Sequence, residues 1–432
     1  MIPGQSVGNT AKTTSYKVVL PFYIYAAISF LVSAVLLLLS SEAFLGHYFQ
    51  PKILAITHMM ALGWGTMIIL GASHQLVPVI IEQKLHSNIL AYCSFVFAAI
   101  GIPLLVYGFY VFDMGHPAKW GGRFILLAII TYLINLGISI SKSKTENIHA
   151  IFVFTSVVWL LITASLGLVL VYNFSPGLHL LPHDSLHYLP LHVHAGIIGW
   201  FLLLTIGVGS RLIPMFLISK YTNKKLLNWI FILINLSLLS YILLFYVANI
   251  PQLIYLSWCM LLAGIILFVY YCRSAYIQRI RRQVDDQMKI SLLSVFMMLV
   301  PIILLFLVIL ILSLFSKESV SLSMSYGFLI LFGWITAIIL GMTFKTLPFI
   351  IWNKVYHRRS GMGKTPNPKD LFNDKVFKVM GLAYLPALII FVAGILTKIL
   401  LLLQLGASLM LIAAVLYVFN VFKVVTHQAI KQ

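Results

Sequence analysis

The chain has 432 residues, of which 61% are hydrophobic and only 9% charged, with a formal net charge of +19. A soluble domain carries roughly 25% charged residues, so this balance excludes an ordinary water-soluble fold and points to an all-α integral membrane protein. The basic excess is read as an orientation signal before it is read as a nucleic-acid footprint, because Lys and Arg cluster in the loops between apolar runs.

Met1–Ser15 is polar and shows no secretory signal, and the first apolar run, Val18–Ser40, is long enough to remain as a span. An interrupted stretch at 54–80 carries His58 and His74 and forms the second span. Leu90–Val111, Phe124–Ile140 and Ile151–Tyr172 are the next three. A histidine-rich segment containing His179, His183, His187 and His192 then leads into the stretch 188–217, which holds His194. Trp229–Val247, 250–271, Ile290–Phe315 and 322–352 follow, and Val379–Phe422 is long enough for two spans. Each complete span has the roughly 20 residues needed to cross a hydrocarbon core of about 30 Å. The expectation is twelve transmembrane helices in a single polytopic domain covering 1–432.

With both termini in the cytoplasm, only Lys52, Lys119, Arg123, Lys317 and Lys398 of the 29 basic residues fall outside. The densest basic loops, Arg273 to Lys289 and Lys354 to Lys378, are then cytoplasmic. The expected setting is a lipid bilayer, a bacterial inner membrane by this orientation, and no nucleic-acid partner. Cys93, Cys259 and Cys272 are scattered without a Cys-x-x-Cys pair, so they read as small buried residues rather than as a disulfide or thiolate metal site.

A threefold repeat underlies the pattern. The second span reads His58-Met-Met-Ala-Leu-Gly63-Trp64, continues to Gly71 and closes Gln75-Leu-Val-Pro78. The sixth reads His194-Ala-Gly-Ile-Ile-Gly199-Trp200, continues to Gly207 and closes Arg211-Leu-Ile-Pro214. The tenth reads Phe328-Leu-Ile-Leu-Phe-Gly333-Trp334, continues to Gly341 and closes Lys345-Thr-Leu-Pro348. Start positions 58, 194 and 328 are nearly evenly spaced, so the expectation is three pseudo-symmetric four-helix arcs at about 17–141, 149–271 and 290–422. The three inner helices should converge, with Gly63, Gly199 and Gly333 permitting close approach.

Three arcs of four spans with histidines on inner helices resemble subunit I of the haem-copper oxidase and nitric oxide reductase superfamily. That resemblance implies haem b and, as a second cofactor, copper; His58 matches the helix that carries a low-spin haem ligand there, and His194 the helix that carries a copper ligand. The chain departs from the family in having no histidine in Leu227–Val247 or Ser321–Pro348, where the family places further ligands. It also has Ile198 where a covalent His-Tyr pair would need tyrosine. The NnrS-type haem and copper proteins are similar in size and span number.

Histidine within a span is costly unless paired or ligated, so His58 and His194 are the candidate cofactor ligands, expected to clamp one iron from two inner helices. Each has a bland alternative as a neutral imidazole hydrogen-bonded to a neighbouring helix. His74 lies sixteen residues from His58, about 24 Å along a helix, and cannot share that iron. His179, His183, His187 and His192 form a candidate metal cluster suited to copper or zinc. Gln75, Arg211 and Lys345 share one repeat position, where the two cations are expected to reach the headgroups.

Three functions follow as expectations. The first is a haem-binding relative of oxidase subunit I in electron transfer or nitric oxide and oxygen response, an oxidoreductase if an enzyme, served by a respiratory-chain electron donor. The second is a copper or haem delivery protein fed by a metallochaperone through the histidine-rich segment. The third is a non-catalytic accessory subunit of an oxidase.

Overall fold

The structure is a computed structural model that describes residues 14–143, 147–174, 180–280, 282–356 and 365–429. Twelve of its helices are long and apolar enough to cross a membrane, and they form an all-α integral membrane architecture. They are α1 (Tyr16–Leu39), α2 (Pro51–Ile80), α3 (Asn88–Tyr110), α4 (His116–Ser141), α5 (Ile148–Asn173) and α6 (Ser185–Leu217). The second half holds α7 (Lys224–Val247), α8 (Pro251–Ile277), α9 (Asp286–Phe315), α10 (Val320–Tyr356), α11 (Asp374–Thr397) and α12 (Leu400–Val425).

Polar side chains start several of these helices. Ser87, Asn147, Asp184, Asn223 and Asn373 each accept a hydrogen bond from a first-turn backbone N–H, satisfying donors that the helix itself leaves unpaired. Residues in the left-handed region end others: Ser316 closes α9 at φ 49° and Lys398 closes α11 at φ 59°.

Packing follows the repeat. Helices α1, α5 and α9 each pack along the inner helix that follows them, and α3–α4, α7–α8 and α11–α12 form antiparallel pairs. The units join through α4 with α5, α8 with α9, and α12 with α1, so the bundle closes on itself. The glycines have a different role from the one expected. Gly71 is seated on Phe22 of α1, Gly207 on Phe152 of α5 and Gly341 on Ser291 of α9. A Cβ at Gly63 would stand 2.8 Å from Ser29 Oγ of α1, and Gly199 lies against Trp159 of α5. These glycines therefore admit the first helix of their own unit rather than draw the inner helices together.

What joins the inner helices is a set of tryptophan hydrogen bonds. Each inner helix switches to π geometry immediately after its repeat-start residue: Met59–Thr66 after His58, Ala195–Leu202 after His194, and Leu329–Ile335 after Phe328. Thr336 marks the widened turn, its hydroxyl donating to the carbonyl five residues back, Leu331 O, at 2.7 Å. Trp64 Nε1 of α2 donates to Thr336 Oγ1 of α10 at 3.1 Å, and Trp200 Nε1 of α6 donates to Thr66 Oγ1 of α2 at 3.1 Å. The third side of this triangle is broken. Leu202 stands where Thr66 and Thr336 stand in the other copies, and the buried Trp334 Nε1 has no hydrogen-bond partner among the described residues.

At the other end of the inner helices, the shared position of Gln75, Arg211 and Lys345 has diverged. Arg211 is exposed, whereas the Lys345 ammonium is largely shielded, forms an ion pair with Asp285 at the start of α9 and lies 5.6 Å from the Phe216 ring. Lys345 thus does not run out to the headgroups; the carboxylate comes to it.

Candidate functional site

His58 and His194 occupy equivalent places, each one residue before a π segment and each with its ring nitrogen tied to the carbonyl four residues back. His58 Nδ1 lies 2.8 Å from Leu54 O, and His194 Nδ1 lies 2.7 Å from Pro190 O. A carbonyl only accepts, so Nδ1 carries the proton and Nε2 keeps its lone pair, the tautomer that ligates metal or accepts a hydrogen bond. The third copy has become an aromatic cluster. Phe328 packs on Phe391 at 4.4 Å and Phe332 at 4.7 Å between ring centroids.

One cavity of about 720 Å³ opens beside these positions, lined by side chains of α2, α5, α6, α7, α8, α9 and α10 among others. His58, His192 and His194 all line it, as do Tyr241, Tyr326 and Thr66. The volume falls within the ~300–1,000 Å³ typical of cofactor and ligand sites. The wall is mostly apolar, and Glu318 is the one Asp, Glu, Lys or Arg side chain lining it among the described residues. At the rim, His47 Nε2 lies 3.8 Å from Glu318. Burial, reinforced by Glu318, holds the Tyr48 phenol well above its ordinary value.

The structure pairs His58 with His192 rather than with His194. Their ring centroids are 6.2 Å apart and their planes inclined by 19°. Two imidazoles sharing one metal at roughly 2 Å from each ring nitrogen have centroids about 6.4 Å apart. His192 is held by its own Nδ1, 3.0 Å from Thr163 O of α5. Gly167 makes room for it: a Cβ at that position would stand 2.7 Å from His192 Cε1. His194, two residues on and so about 200° around the helix, turns instead toward Tyr241 of α7 and Tyr326 of α10, at 5.7 and 6.0 Å between ring centroids. Its Nε2 is shielded and has no hydrogen-bond partner among the described residues. The imidazole seen in ring contact with His58 is thus that of His192, while the ring of His194 lies against Tyr241 and Tyr326.

Among the described residues of the histidine-rich segment, the side chains divide between two places. His179 lies outside the described residues. His183 precedes the helix and His187 lies in its first turn, because Asp184 is the cap and its Oδ1 accepts from His187 N at 2.9 Å. Their exposed rings are 4.5 Å apart. His192 is turned into the cavity, away from them. No group of three or more His, Cys, Asp or Glu side chains placed to hold a metal ion is present among the described residues.

His74 is buried at the far end of α2, its Nδ1 2.6 Å from Leu70 O and its ring against Phe22 and Tyr132. A cavity of about 10 Å³ lies beside it, lined by Ser73, Tyr132 and Asn135 among others, about the room one water needs. His74 lies sixteen residues along α2 from His58. Thr163, Gly167, Tyr241 and Tyr326 line this candidate site and were not singled out by the sequence; only the packing of α5, α6, α7 and α10 brings them there.

Neither a family model nor a curated protein matches the chain. The functional reading therefore rests on the site itself.

Proposed function

We propose that the protein is a haem-binding membrane protein of the oxidase subunit I type, with haem b held between His58 and His192. The observation that carries this reading is the paired geometry: two imidazoles from different inner helices, each fixed in the Nδ1–H tautomer by a carbonyl, 6.2 Å apart on the wall of one apolar cavity. Such outer hydrogen bonds orient histidine ligands and raise their basicity. Haem b, which His58 and His192 would hold, would supply one-electron transfer there. Lys119 and Arg123 flank the lining residue Gly122, and Arg123 is held by Tyr172 of α5. They put positive charge beside the cavity lining, available to pair with the carboxylates that haem b carries.

Electron transfer is favoured over oxygen reduction, since α7 and α10 contribute tyrosine and phenylalanine to the cavity where oxidase-type chemistry would need further imidazoles. A role in nitric oxide or oxygen response would use the same haem. The loop charges favour both termini in the cytoplasm; with that orientation, in a bacterial inner membrane, the site would lie in the outer half, within reach of a respiratory electron donor. The electronic spectrum of the purified protein, with and without His58 and His192, tests the proposal.

A second reading has one observation in its favour. The exposed His183–His187 ring pair suits capture of copper, with transfer inward to the cavity. It requires a colourless protein that binds copper and loses it on substitution of His183 or His187.

A further inference from the structure

The third repeat unit is built differently on its cavity side. In α1 and α5, burial continues into the half that flanks the cavity, through Phe30, Ser33, Ala34 and Leu37 in α1 and through Trp159, Leu160, Leu170 and Val171 in α5. In α9 no described residue beyond Ile302 is buried. Pro301 gives the physical reason. It has no N–H to offer the Met297 carbonyl and its ring crowds that carbonyl, and the helix breaks at Met298, between Asp286–Met297 and Leu299–Phe315. The repeat glycine of this unit reflects the change. The nearest atoms to a Cβ at Gly333 are 3.5 Å away, whereas Gly63 and Gly199 are in tight contact with α1 and α5.

The space so left is part of the cavity. Leu305, Val308, Ile309 and Leu312 of α9 line it, facing Trp258 and Leu261 of α8. The α8–α9 seam is held by Trp258 Nε1 donating to Ile302 O at 3.0 Å and by the Trp258 ring against Phe306 at 4.7 Å. Phe306 and the residues lining this arm are on a helix whose other face, at Ile303, Leu307 and Leu314, is exposed where the bilayer would surround it. The arm is thus an apolar part of the cavity on the inner face of a helix whose outer face meets lipid, and His194 lines the same cavity.

Its polar end has a defined hydrogen-bonding character. Because Nδ1–H of His194 is committed to Pro190 O, the shielded Nε2 can only accept, and a buried acceptor left unmatched is costly, ~1–3 kcal/mol. Ser257 is already engaged with Ser240 at 2.7 Å. With Glu318 the sole charged side chain on the described lining, an anionic head group is disfavoured. We propose that this arm binds a neutral, lipid-soluble molecule with a hydroxyl head group, its O–H donated to His194 Nε2 and its hydrocarbon tail lying against Leu305, Val308, Ile309 and Leu312, admitted from the bilayer between α8 and α9. The inference rests on the same cavity as the haem reading but not on the haem, since it uses His194 and leaves His58 and His192 to the iron.

The test is displacement of radiolabelled 4-dodecylphenol from the protein in nanodiscs, by unlabelled 4-dodecylphenol or by its methyl ether, 4-dodecylanisole, at matched mole fractions in the lipid. Saturable binding and about tenfold better displacement by the phenol are expected, the ratio one satisfied hydrogen bond gives. His194→Phe should erase the preference, His194→Gln, which retains an acceptor, should keep part of it, and His58→Ala should leave it intact while removing any haem band. Leu305→Trp, which fills the tail space, should weaken phenol and ether together, and it serves if His194→Phe does not fold. Equal displacement by the ether, as a lipid acyl chain in the arm would give, overturns the proposal. So does non-saturable binding, a preference that survives His194→Phe, or one lost with His58→Ala.

Discussion

Replacing Leu202 tests whether the broken side of the tryptophan triangle is a true repeat position. Trp64 and Trp200 donate to Thr336 and Thr66 at 3.1 Å, and Trp334 Nε1 is buried without a partner where Leu202 replaces threonine. Threonine and valine have nearly the same shape, so comparing Leu202→Thr with Leu202→Val removes the loss of leucine packing from the difference. At an ordinary apolar site valine is the better of the two, because an unmatched hydroxyl is costly to bury. Here the hydroxyl would meet an orphan N–H, and relieving that group should make Leu202→Thr more stable than Leu202→Val by ~1–2 kcal/mol. Reversible unfolding in mixed detergent micelles reads the difference, and Trp334→Phe should abolish it in a double-mutant cycle. Valine equal to or better than threonine at 202 with Trp334 intact would refute the symmetry argument.

The converse change, Thr66→Val, should destabilise by ~1–3 kcal/mol by orphaning Trp200 Nε1 in the same unfolding assay. Gly167→Val should displace the His192 ring, whose Cε1 would lie 2.7 Å from the new Cβ, and shift or abolish the low-spin spectrum with expression largely retained. Pro301→Leu should restore the α9 hydrogen bond to Met297, raise thermal stability and shrink the arm beside His194, read as weaker dodecylphenol binding. In a cysteine-free background, Leu180→Cys should be labelled from outside intact cells and Ile280→Cys only after permeabilisation; the reverse pattern would invert the orientation.

Twelve spans were legible because length and apolarity alone define them. The repeat was equally legible, since Gly, Trp and Pro recur at fixed offsets from positions 58, 194 and 328. The π segments were not, because a one-residue bulge leaves no trace in a run that is apolar on every side. The role of Gly63 and Gly199 was assigned to the wrong neighbour: a glycine announces a close approach but not which helix makes it. His58 stood out as a candidate ligand from its place in the repeat. The imidazole found in ring contact with it did not, because the repeat selected His194, and two residues of helix rotation decide which ring faces Thr163 and which faces Tyr241. Likewise, four histidines in one segment look like one cluster until Asp184 is seen to start the helix between His183 and His187.

The proposed haem site is tested by the absorption spectrum of the purified protein reconstituted with haem b, compared across four single substitutions. Haem held by His58 and His192 gives a low-spin bis-imidazole band in the wild type, its loss in both His58→Ala and His192→Ala, and its retention in His194→Ala and His74→Ala. A band that survives His192→Ala and disappears in His194→Ala would contradict the pairing described here and return the iron to the His58–His194 clamp.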